Sequence, residues 1–177
     1  MLTKLRLGIP LLIVLALVAM MLALPTRSAT AASVNSICRR SVSFKGEFNT
    51  IFQLIPITQT LFKAPVFGND GSIFIGNRRV GGLVVIDQVV NFVTSTIDGN
   101  ATLITTDGSR IFIKGTGAAG PQNAAGTSPF SGEWEIFGGT GTYQGAKGAA
   151  VFEGEANIPT LKGFFSFEGY IRIPCAT

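Results

Sequence analysis

The sequence predicts an all-β fold, a single domain of short antiparallel strands joined by tight turns and preceded by an N-terminal targeting segment. Apolar and polar residues alternate with a period of two in several separate stretches, the mark of strands with one buried and one wet face. Glycine and phenylalanine are abundant, at 22 and 14 of 177 residues, while charged residues make up only 14%. That mixture suits short strands and sharp turns. Beyond the first thirty or so residues no stretch holds a 3.6-residue apolar period, so little helix is expected.

The chain opens with Lys4 and Arg6, continues through an uncharged apolar run from Ile9 to Leu24, and then presents Ala29-Thr30-Ala31-Ala32. A basic start, an apolar stretch and small residues at alternate positions form a secretory signal peptide. Cleavage is expected after Ala31 or Ala32, leaving residues 33–177 as the domain, with no membrane span after processing. The rival reading is a retained anchor, although the run is shorter than the ~20 apolar residues of a spanning helix. Cleavage would remove Lys4, Arg6 and Arg27, so eleven of the fourteen basic residues would remain against ten acidic ones. So small an excess gives no basis for nucleic-acid binding, which needs a clustered basic stripe. Arg39-Arg40 and Arg78-Arg79 read as solvated loop or strand-end pairs.

Cys38 and Cys175, the only two cysteines, flank the expected domain. In an exported chain they predict a disulfide, one that would pin the seam if the first and last strands are neighbours. A reactive or metal-binding pair finds no support in a chain with no histidine and no Cys-x-x-Cys spacing. The same lack of histidine excludes histidine-dependent triads and imidazole metal sites. No metal and no cofactor is expected.

The first strand runs through Val42, Phe44, Gly46, Phe48, Thr50 and Phe52, with Ser43, Lys45, Glu47 and Asn49 on the opposite face. Leu83 to Ile97 reads as a strand pair or one bent strand, broken by Asp87-Gln88 and ended by Asp98-Gly99-Asn100. Ala101 to Thr106 and Ser109 to Lys114 flank Asp107-Gly108, a two-residue signal for a type I′ hairpin. Gly115 to Ser128, without periodic apolar residues, reads as a surface loop. Phe130 to Phe137, Lys147 to Ala156 and Leu161 to Ile173 are the last three strands. The sequon Asn100-Ala101-Thr102 matters only where the source glycosylates.

Between the first two of those strands lies Gly138-Gly139-Thr140-Gly141-Thr142-Tyr143-Gln144-Gly145-Ala146-Lys147-Gly148. A dinucleotide fingerprint needs a third glycine in register and a helix behind it. Here the third glycine is out of place, and Val151-Phe152-Glu153-Gly154-Glu155 alternates as a strand does. Nucleotide binding is rejected. The glycines permit positive φ and close strand approach at a corner, with Tyr143 laid over the turn.

With its flanking Glu133-Trp134-Glu135-Ile136-Phe137 and Ala149-Ala150-Val151-Phe152, this stretch resembles the Gly-Gly-Thr-Gly-x-Tyr/Phe-x-Gly-Ala-x-Gly signature of the allene oxide cyclase-like and dirigent-like barrel family. The resemblance extends over about half the chain, from Thr94 to Ile173. It implies a closed, approximately eight-stranded antiparallel β-barrel with an apolar lumen, and a bacterial-type secreted member of the family. Gly138, Gly139, Gly141, Tyr143, Gly145 and Gly148 carry over as an architectural turn. The family's plant members cyclise a fatty-acid epoxide or guide phenoxy-radical coupling, and their dimers and trimers make a homo-oligomer an open expectation here.

Two clusters could carry chemistry. Glu133, Glu135, Glu153 and Glu155 share one face of two strands, where carboxylates could divide acid and base roles or hold calcium, the default being a solvated outer face. Glu168, Tyr170 and Arg172 alternate with Phe165, Phe167, Ile171 and Ile173. If the trio points inward it is an acid, a phenol and a guanidinium able to orient and protonate a substrate. If it points outward it is a cross-strand charge pair of small value. Trp134, Phe152, Phe165 and Phe167 are the candidate ligand-binding residues.

The leading functional expectation is an exported barrel that binds an apolar or aromatic small molecule in its lumen. The alternatives are an isomerase or cyclase of the allene oxide cyclase type, and an envelope or extracellular scaffold with a filled lumen. An inward carboxylate or phenol would favour the enzyme; a filled lumen would favour the scaffold.

Overall fold

The computed structural model describes residues 38–175; the expected signal peptide and its cleavage site lie outside them. Ten strands run in order: β1 (Arg39–Phe52), β2 (Ile55–Pro56), β3 (Leu61–Ile75), β4 (Arg78–Arg79), β5 (Gly82–Asn91), β6 (Thr96–Thr105), β7 (Arg110–Ala119), β8 (Thr127–Thr140), β9 (Lys147–Asn157) and β10 (Lys162–Pro174). A single 3₁₀ turn, Gly141–Tyr143, separates β8 from β9. Among the described residues no helix is long and apolar enough to cross a membrane.

All pairings are antiparallel, and they close on themselves in the order β1-β10-β9-β8-β7-β6-β5-β3, with β3 returning to β1. Eight strands thus form a closed β-barrel, while the two-residue β2 and β4 add to β3 alone. Closure leaves no free edge along the ring, which removes the aggregation hazard of exposed strand edges. β1 pairs with β10 from Arg39↔Pro174 to Ile51↔Lys162. The Cys38–Cys175 disulfide stands at the end of that seam, with Cα atoms 5.4 Å apart and the Cys175 amide donating to the Cys38 carbonyl at 2.9 Å.

The inner face follows the alternation. On β1, Phe44, Phe48, Thr50 and Phe52 are buried, and Ser43, Glu47 and Asn49 are not. The barrel end that carries the β6–β7 hairpin, the β8–β9 turn and the disulfide is packed solid by Phe44, Phe48, Ile73, Leu103, Ile111, Ile113, Ile136 and Ile171, each under 2% exposed. Aromatic rings interlock through this half, with Phe44 and Phe167 at 4.7 Å between centroids.

Four local expectations are corrected. Asp98-Gly99-Asn100 ends no strand; it lies within β6, opposite Gln88 and its neighbours on β5. The turn falls earlier, at 92–95, where the Asn91 side-chain oxygen accepts from the amides of Val93 and Thr94 and Ser95 takes positive φ. The Asp107-Gly108 hairpin is present but not type I′. Only Gly108 has positive φ, its amide donates to the Thr105 carbonyl, and the Thr105 amide donates to Ser109. That is the three-residue loop of a type I turn plus a left-handed glycine.

β7 extends to Ala119, so Gly115 to Ala119 is strand and the loop shrinks to 120–126. Finally β3, fifteen residues long, has no counterpart among the expected strands; it contains Pro65 and the Gly68-Asn69-Asp70-Gly71 run, residue types depleted from strand interiors. The strand accommodates them with a register shift between Gly68 and Gly71.

Candidate functional site

The other half of the barrel is not filled. A cavity of about 100 Å³ lies inside the end formed by the C-terminal parts of β1, β5, β7 and β9 and the N-terminal parts of β3, β6, β8 and β10. Trp134, Phe152, Phe165 and Phe130 make its aromatic side, and Ala64, Val66, Ile86, Val90, Ile97 and Ala101, with the ring of Phe52 beside them, the opposite one. Phe92, 46% exposed, also lines it, so the cavity reaches the surface at the β5–β6 turn. Cavities of about 150 Å³ with Leu/Ile/Phe walls stay dry and take up benzene; this one is on the scale of a single small ring.

The room comes from missing side chains. Gln88 on β5 pairs with Gly99 on β6, Gly99 with Gly115 on β7, and Gly115 with Trp134 on β8. A Cβ at Gly99 would stand 2.5 Å from the Gln88 Cβ, and one at Gly115 would stand 2.8 Å from the Trp134 indole. Two adjacent inward positions therefore have no side chain of their own. The side chains of Gln88 and Trp134 lie over them from either side.

The aromatic cluster forms the floor. Trp134 meets Phe152 at 5.5 Å, Phe165 at 5.7 Å and Phe167 at 5.0 Å between centroids. Of the four ligand-binding candidates, Trp134, Phe152 and Phe165 reach the cavity wall. Phe167 is a layer deeper, against Phe44 in the packed half.

The polar groups in the wall are few and uncharged: Thr50, Gln88, Asn100 and Ser128, with the Trp134 N–H. Ser128 donates its hydroxyl to the Gly120 carbonyl at 2.7 Å. Among the described residues, the side chains of Thr50, Gln88 and Trp134 make no hydrogen bond to protein, yet none of their polar atoms is sealed away. All three residues line the cavity. Neither Thr50 nor Gln88 was singled out as a site residue from sequence, although Gln88 shares the inward parity of Val84, Ile86 and Val90.

Glu168, Tyr170 and Arg172 stand on the exposed outer face of β10. The Arg172 guanidinium lies 5.6 Å from the Tyr170 ring centroid, and Glu168 pairs across from Lys45 of β1. Glu133, Glu135, Glu153 and Glu155 are exposed as well. Neither cluster contributes to the lumen.

The glycine turn closes the packed end. Tyr143 is buried at 4% exposure among the core residues there. The turn docks on the β6–β7 hairpin: the Thr142 amide donates to the Ser109 hydroxyl at 3.2 Å, and the Thr142 hydroxyl donates to Asp107 at 3.4 Å. Asp107 also accepts from the Thr105 hydroxyl at 2.6 Å and from the Ser109 amide at 3.0 Å. The Thr105 hydroxyl, then the Ser109 amide, hold the Asp107 carboxyl below its ordinary pKa. Burial, then the negative charge of Asp107, raises that of the Tyr143 phenol. These groups fix an end of the barrel; they are remote from the cavity.

No protein-family model and no curated protein matches the sequence. Among solved structures the chain is similar to the pterocarpan synthase dirigent protein GePTS1, with 13% identity and a TM-score of 0.49 over 80% of this chain and 90% of that one. It is also similar to the pterocarpan synthase dirigent protein PsPTS1, with 15% identity and a TM-score of 0.46 over 78% of this chain and 97% of that one.

Proposed function

We propose that this protein is an exported β-barrel that binds a small apolar molecule in the open half of its lumen. The observation that carries the reading is the cavity itself: an aromatic and aliphatic wall that reaches the surface inside a barrel whose other half is solid. A concave, mostly apolar space with a few placed polar groups is the usual form of a small-molecule site. Export is supported by the Cys38–Cys175 disulfide, a bond that persists in oxidising compartments, together with the leader-like N-terminus.

Binding is favoured over cyclisation or isomerisation by the chemistry of the wall. Among the described residues no carboxylate, phenol, lysine or arginine lines it, so a reaction that moves a proton would find no titratable side chain among them. A purely structural role is disfavoured by the unfilled volume, since packing it with side chains would stabilise the barrel.

Native mass spectrometry of the protein purified without detergent tests the proposal. A reproducible added mass in the intact spectrum, absent after denaturation, is the expected result. A bare chain that also fails to take up any small apolar probe would overturn it.

A further inference from the structure

Resting on that reading, we infer that the lumen selects an uncharged ligand with an oxygen acceptor, such as a carbonyl, and that Trp134, Gln88 and Thr50 are the residues that read it. All three line the same cavity of about 100 Å³. Their polar atoms make no hydrogen bond to protein among the described residues and are not sealed off. Polar groups turned into an apolar space are ordinarily satisfied, by protein, water or a ligand.

The donor inventory sets the polarity of the partner. An indole N–H can only donate, a glutamine amide offers two N–H donors beside one oxygen, and a threonine hydroxyl can do either. An acceptor oxygen is the one group all three can serve. A hydrocarbon would fill the space but leave the three groups without partners, a cost borne on every binding event. A carboxylate would carry a charge into a wall with no cation, which is costlier still. The glycine pair at 99 and 115 is what makes the arrangement available, because side chains there would separate Gln88 from Trp134.

Three probes that share a benzene ring separate the terms: toluene, benzaldehyde and benzoate. They are titrated into the protein, expressed with its own N-terminal segment, by NMR shift mapping. Benzaldehyde is expected to bind about tenfold more tightly than toluene, and benzoate more weakly than either. Gln88→Leu loses its donors at similar volume, and Trp134→Phe loses the indole N–H together with part of the ring. Each is expected to weaken benzaldehyde about fivefold relative to toluene. Toluene binding that survives also certifies that the variant is folded. Toluene and benzaldehyde binding equally, or a preference that survives both substitutions, would overturn the inference and leave the lumen-binding reading standing. No binding by any of the three would overturn both.

Discussion

Gln88 and Trp134 stand in one hydrogen-bonded row of the barrel, with Gly99 and Gly115 as the only residues between them. Two strands are crossed without an inward side chain, and the cavity occupies part of that relief. The packed and open halves of the lumen thus differ by where glycine and large apolar residues fall along the same alternation.

Gly115→Ala puts a Cβ 2.8 Å from the indole of Trp134. The obstacle is a side chain that can shift, so the barrel should still fold, with ~1–3 kcal/mol lost to overpacking. The emission of Trp134, the single tryptophan, should shift in wavelength. An unchanged spectrum and melting temperature would show that the indole does not lie over Gly115.

The glycine turn should be unforgiving at some positions and tolerant at another. A Cβ at Gly139 would stand 2.5 Å from the carbonyl oxygens of Arg110 and Tyr143, and Gly141 has φ +58° with the Ser109 hydroxyl in the way. Backbone cannot move as a side chain does. Gly139→Val and Gly141→Val should therefore lower the melting temperature sharply or prevent folding. Gly138→Ala meets nothing nearer than Phe112 at 3.6 Å and should cost only a few tenths of a kcal/mol. Equal effects at Gly138 and Gly139 in thermal melts would contradict the turn's assigned geometry.

Much of this was legible beforehand, and several of the misses share one cause. The period-two pattern of Val42 to Phe52 and of the last three strands marks faces correctly because large apolar side chains recur often enough at inward positions to carry the alternation past Gly46 and Thr50. Elsewhere an inward glycine erases the pattern: Gly115 and Gly117 of β7 read as loop, and Gly99 of β6 read as a turn. Those positions owe their identity to Trp134, Phe152 and Gln88 on nearby strands, contacts that exist only once the strands are paired. Gln88 was hidden for a related reason, since a polar residue at an inward position looks like an interruption until a cavity stands beside it, while Thr50 read only as one more member of an inward face. The placement of the Asp107-Gly108 hairpin was legible but its turn type was not, because Asp107 adopts negative φ while its carboxylate accepts from Thr105, Ser109 and Thr142.

Asp107 should leave a signature in acid. Its folded pKa is depressed, so its contribution is present above the unfolded value of 3.8 and is lost as the pH falls through the folded value. Asp107→Asn should lower the melting temperature at neutral pH and differ less from wild type near about pH 2. Tyr143 works in the opposite direction. Its raised pKa gives a contribution that is full below 10.0 and is lost as the pH rises through the folded value. A destabilisation by Asp107→Asn that is constant across the acid range would remove the carboxylate from this role.

Cutting the Cys38–Cys175 link, whose ends are 137 positions apart in sequence, should cost up to ~4–5 kcal/mol on the chain-entropy estimate. Thermal melts of the Cys38→Ser, Cys175→Ser double variant should fall well below those of the oxidised wild type, and reducing agent should bring the wild type down to match. Identical melts with and without reductant would show that the seam of β1 and β10 holds without the bond.

The most direct measurement is a toluene titration followed through the fluorescence of Trp134, run in parallel on wild type and on Ala119→Phe, which places a ring among the residues lining the cavity. A saturable change is expected in wild type, and little or none in a variant that remains folded by circular dichroism. An absent response in wild type, or the same saturable response in both proteins, would contradict a ligand site in the open half of the barrel.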